Sequence, residues 1–135
     1  NKLKMKISKI FSEKGESYFR KFEEELTLEL LKKKNVIIAL GGGAFLNNSI
    51  RKSAKKLSIS FWLDVPIDKL IKRLTKNNKR PLLLKKNRSE EVKEIYFIRK
   101  KIYNEADYRI KCGSLKSAEI VRKILYLYEK SGNKI

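Results

Sequence analysis

Histidine is absent from this chain of 135 residues, and cysteine occurs once, at Cys112. With no imidazole and a single thiol, an ordinary zinc site lacks its ligand set and no internal disulfide can form. Cys112 closes the apolar-tending segment YRIKC and reads as a small buried residue near a strand end. Acidic residues are scarce: 15 Asp and Glu stand against 34 Lys and Arg, a net charge of +19. No apolar run is long enough to cross a bilayer, and the opening NKLKMKISKI lacks the apolar core of a signal peptide. The expectation is a cytoplasmic protein with no membrane partner.

What is present supports a folded domain. A hydrophobic content of 41%, with 10% aromatic residues, supplies one core and excludes a disordered tail. So large a positive charge would ordinarily suggest a polyanion. The basic runs LKKKN, RKSAKK, KNNKR, LLLKKNR, IRKK and EKSGNK, however, close successive elements along the whole chain. A nucleic-acid surface would gather them on one helix or interleave them with aromatics, so they read as solvated faces and no nucleic-acid partner is expected.

Lys6 to Lys14 can form a short helix, with Ile7, Ile10 and Phe11 on one face and Gly15 closing it. From Glu16, the stretch ESYFRKFEEELTLELLKKK repeats Phe19, Phe22, Leu26 and Leu30 at helical spacing, with acids early and lysines late as the helix dipole favours. A turn at Asn35 leads into a predicted strand, Val36 to Leu40, then Gly41, Gly42 and Gly43, then a helix from an Asn47 or Asn48 cap to Lys56. Ser58 to Leu63 reads as a second strand, after which Asp64 and Pro66 launch the helix IDKLIKRLTK. Residues 76–88 form a long basic connection with the look of a lid, followed by a helix from Ser89 to about Tyr103. A short strand, Tyr108 to Lys111, and an amphipathic helix capped by Ser117 complete an α/β pattern with a parallel sheet.

The run VIIALGGGAF concentrates interest. One or two glycines would make a mobile turn, but three at the carboxyl end of a strand point to a ligand approaching the backbone, because open α/β sheets bind ligands at that edge. Arg20 and Glu23 are three apart on a helix and share a face beside Phe19, a spacing that suits a surface ion pair as well as a site. Arg80 and Arg99 are further cations whose planar forks suit carboxylate or phosphate.

In order and spacing, EKGESYFRKFEEE, VIIALGGGAF, FWLDVP, KRLTKNNKRPLL and RKKIYNEAD resemble shikimate kinase, a small P-loop kinase family, from about Ile7 to Tyr128. The resemblance implies a three-layer α/β/α parallel sheet of the nucleoside monophosphate kinase type. It implies transfer of the ATP γ-phosphoryl to the 3-hydroxyl of shikimate, in aromatic amino acid biosynthesis, by a monomer. It also implies roles. Arg20 and Arg99 would grip the shikimate carboxylate, with Phe19 and Glu23 supporting the wall. Gly41, Gly42 and Gly43 would let the backbone approach the ring. Arg80 would close over the transferring phosphoryl group, where positive charge stabilises the transition state, and Arg73 would stack along the adenine.

The phosphate cradle G-x-x-x-x-G-K-[ST] and the Asp-x-Asp that serves Mg²⁺ in that family do not occur in these residues. The expectation is that both precede Asn1. On that reading residues 1–135 are the C-terminal portion of one kinase domain, without its first two strands and first helix, and by themselves poorly stable and inactive. Two alternatives are a related kinase such as a gluconate kinase, and a basic binding module that has lost the cradle.

Overall fold

Gly15, at φ 84° and ψ 167°, interrupts the first helical element, α1 (Ile7–Leu31), so that a short helix precedes the break and a long one follows it. A left-handed φ is cheap only for glycine, and the predicted division at this residue follows. The chain leaves α1 through a turn that ends at Asn35, φ 58°, a conformation asparagine tolerates better than most residues. A short 3₁₀ helix (Ala44–Leu46) and α2 (Asn48–Leu57) come next. The Asn47 side chain caps α2, its Oδ1 accepting from the Ile50 N–H at 3.0 Å, while its Nδ2 donates to Glu24 Oε2 at 2.8 Å. One residue therefore both starts α2 and ties it to α1.

The computed structural model describes residues 7–76 and 88–132, which divide between two compact units, Asn1–Leu57 and Ser58–Ile135. In the first unit α1 packs on α2 and on the 3₁₀ turn. Thr27, Leu31, Ala44, Phe45, Ile50 and Ala54 are buried there, Ile50 completely. Burying one such side chain contributes about 2 kcal/mol.

The second unit is built on two parallel strands, β1 (Phe61–Asp64) and β2 (Tyr108–Lys111), with Phe61 opposite Tyr108 and Asp64 opposite Lys111. Between them in sequence lie α3 (Ile67–Lys76) and α4 (Arg88–Tyr103), which pack together, and α5 (Ser117–Lys130) follows β2. Ser60 and Asp107 fasten the entry to the ladder: the Ser60 N–H donates to Asp107 Oδ2 at 2.9 Å and the Asp107 N–H to Ser60 Oγ at 3.0 Å. The class is α/β with a parallel sheet, as the pattern predicts.

Three expectations need correction. Val36–Leu40 is not a strand: it has no ladder partner among the described residues, and Val36, Ile37 and Leu40 stand exposed. Extended backbone becomes a strand only when a neighbour pairs with its N–H and C=O groups. The second predicted strand lies at Phe61–Asp64 rather than Ser58–Leu63, because pairing with β2 sets its limits. Finally, Lys116 rather than Ser117 occupies the N-cap of α5, and its N–H donates to Glu119 Oε1 at 3.2 Å. Residues 77–87 of the expected lid, Arg80 among them, lie outside the described residues, while its ends Lys76 and Arg88 close α3 and open α4.

Candidate functional site

Six of the predicted site residues lie in the unit Asn1–Leu57, on α1 and in the glycine turn. Arg20 Nη1 donates to Glu23 Oε1 at 2.7 Å, one helical turn on, and the guanidinium lies 5.3 Å from the centre of the Phe19 ring. A second carboxylate, Glu16, stands 3.7 Å from Arg20 Nε. Arg20 is about a third exposed and Glu23 half as much, so the pair is partly shielded from water. Glu23 thus holds one edge of the planar fork, and the guanidinium has further N–H donors for an anion.

The glycines meet this pair directly. A Cβ built on Gly43 would fall 2.5 Å from both Arg20 Nη1 and Nη2, and one on Gly41 would lie 3.7 Å from Glu23 Oε2. Gly43 has an ordinary helical backbone, φ −91° and ψ −15°, so what the absence of a side chain there provides is room for the Arg20 guanidinium. Gly42 lies between them in the exposed turn. Arg51 holds the turn from α2, its Nη1 donating to the carbonyls of Phe45 at 2.9 Å and Leu46 at 2.7 Å. Nothing in the local pattern singled out Arg51; its placement four residues after a helix cap was the only available hint.

The remaining predicted residues belong to the unit Ser58–Ile135. Arg99 is half-buried on α4 and Arg73 is exposed on α3. Burial raises the Cys112 thiol pKa above its usual 9.0 and the Asp64 carboxylate adds to the rise, while Arg73 and then Lys123 oppose it. Cys112 is buried, as expected, one residue beyond β2.

A cluster that sequence reasoning missed lies at the carboxyl end of β1. Asp64, only 7% exposed, accepts from Arg109 Nε at 2.9 Å and Nη2 at 2.5 Å, and from the Tyr96 hydroxyl at 3.0 Å. The Arg109 guanidinium also covers the Trp62 ring, 4.6 Å from its centre. Burial raises the Tyr96 pKa above 10.0, and accepting the hydroxyl proton, the Asp64 carboxylate raises it further. Asp64 was read as the launch of α3; a lone acid ending an apolar strand was the signal for a buried partner.

Among the described residues, no group of three or more His, Cys, Asp or Glu could hold a metal ion, and none of the helices is long and apolar enough to cross a membrane.

The family profile of shikimate kinase matches residues 1–129. The shikimate kinase of Persephonella marina is 41% identical over 120 residues, spanning 89% of this chain and 72% of the relative. That of Aquifex aeolicus is 36% identical over 93% of this chain and 73% of the relative. Among solved structures, shikimate kinase from Acinetobacter baumannii in complex with shikimate superposes with a TM-score of 0.86 at 29% identity, covering 96% of this chain and 73% of that one.

Proposed function

This chain belongs to the shikimate kinase family, and from that premise we propose that it takes shikimate as phosphoryl acceptor, gripping the carboxylate through Arg20. Kinship makes it a transferase of the kinase type. The observation that supports the grip is the seating of Gly43 against the Arg20 guanidinium, which a Cβ at that position would push aside. Glu23 fixes the guanidinium through Nη1. A guanidinium held in this way is pre-organised for a planar carboxylate, which accepts two parallel N–H bonds.

ATP is the donor in this reading, with Arg73 along the adenine and Arg80 over the transferring group, and Arg99 is the second cation for the shikimate carboxylate. Mg²⁺ dependence and a cytoplasmic location belong to the same proposal.

Isothermal titration of the 135-residue chain with shikimate tests the grip. Binding is expected, and Arg20→Ala is expected to weaken it by at least about 30-fold, as truncating one partner of a desolvated charge pair does. The methyl ester of shikimate should bind the wild-type chain as poorly as the acid binds the variant. Equal affinity of wild type and Arg20→Ala for shikimate would overturn the assignment.

A further inference from the structure

Tyr96, Arg99 and Tyr103 fall at i, i+3 and i+7 on α4, so they form one stripe along the helix. Both tyrosines of that stripe attach to β1. The Tyr96 hydroxyl donates to Asp64, and the Tyr103 ring lies 6.0 Å from the Trp62 ring, tilted by 57°. Trp62 and Asp64 are themselves two residues apart on β1 and both buried, which places them on one face of the strand. Arg109, directly opposite Trp62 in the ladder, joins them: it forks onto the Asp64 carboxylate and covers the Trp62 ring. The helix is thus held to the strand at two points, and Arg99 lies between those points.

We propose that Asp64, Trp62 and Arg109 form a two-point anchor that sets the position of Arg99, with Tyr96 and Tyr103 as its attachments on α4. Arg99 is the residue to which the proposed function assigns the second contact with the shikimate carboxylate, and the inference rests on that reading for its ligand. These five are positioning residues. None is assigned a contact with substrate, and each acts through Arg99. The need for such an anchor follows from the packing of α4. Val92, two turns before Arg99, is the buried apolar residue of this helix among those described, whereas Phe97 and Ile98 are exposed. Apolar packing against α3 does not by itself choose the rotation of α4 at Arg99, which a directional hydrogen bond to a buried carboxylate does.

The 135-residue chain tests this with Tyr96→Phe, which keeps the ring and its packing and removes only the hydroxyl. Shikimate affinity, measured by titration, should fall about 3- to 10-fold, the range for one lost hydrogen bond. In an Arg99→Ala background the same substitution should change affinity by less than about 2-fold, because residues that act through one another are not additive. An equal loss in both backgrounds marks a general structural effect and overturns the inference. Amide hydrogen exchange supplies an arm that needs no ligand: Tyr96→Phe should speed exchange over residues 96–103 and leave α1 unchanged. Unaltered exchange over 96–103 overturns the anchor whether or not shikimate binds. Faster exchange there, in a chain whose wild type shows no shikimate binding, upholds the anchor and removes the proposed substrate instead.

Discussion

Val36–Leu40 and Phe61–Asp64 are both short, largely apolar runs that lead into a turn and then a helix, yet one is a paired strand and the other is not. Phe61–Asp64 has β2 beside it, and its alternate residues Trp62 and Asp64 are buried while Leu63 between them is exposed. Val36–Leu40 has no ladder partner among the described residues, and Ile37 is fully exposed at 101%. Composition set the potential of both runs; a neighbour realised it in only one. The lesson extends to the sites that follow each run. After Val36–Leu40 the glycine turn lies against Arg20 of α1, and the segment that follows it is held by Arg51 of α2, rather than by a sheet. At the end of Phe61–Asp64 a buried carboxylate collects contacts from β2 and α4.

The sharpest way to probe this contrast is to cut into the paired run. Trp62→Ala should destabilise the unit Ser58–Ile135 by about 3 to 5 kcal/mol, the usual loss for a large buried aromatic, seen as a lower urea midpoint by far-ultraviolet circular dichroism. A loss under about 1 kcal/mol would mean that the Arg109 and Tyr103 contacts do not fasten the strand.

Smaller is the effect expected at the glycine turn. Gly43→Ala adds one methyl group at a backbone conformation that alanine adopts freely, so the fold should be little changed. The methyl group displaces the Arg20 guanidinium, and shikimate affinity should drop about 10-fold, or about 1.4 kcal/mol, with the melting temperature within a few degrees of wild type. Unchanged affinity would show that the turn and Arg20 are not coupled.

The smallest effect belongs to the unpaired run. Ile37→Lys replaces a fully exposed side chain and should shift stability by no more than about 0.5 kcal/mol. A loss comparable with that of Trp62→Ala would break the comparison, since it would require Ile37 to be covered in solution.

Much of the candidate site was legible because its parts are close in sequence or carry a family pattern. Arg20 and Glu23 are one helical turn apart, and the three glycines announce themselves. Asn47 as a cap and Gly15 as a break follow from the conformations those residues favour. The Asp64 cluster was not legible, since its bonds to Tyr96 and Arg109 span 32 and 45 residues and depend on how α4 and β2 return to β1. Family kinship came from ordered motifs across the chain, whereas the close approach of Gly43 to the Arg20 guanidinium appeared only with coordinates.

By itself, then, the sequence determined the helices, the asparagine cap of α2 and the break at Gly15, the parallel α/β class and the family. These depend on periodicity and on hydrogen bonds within a few residues, so local chemistry suffices to specify them. Tertiary structure alone decided which apolar run became a strand, where its ends fell, and which charged residues became buried partners. A strand needs a second chain segment to satisfy its backbone, and a buried carboxylate needs donors that only folding brings within 3 Å of it.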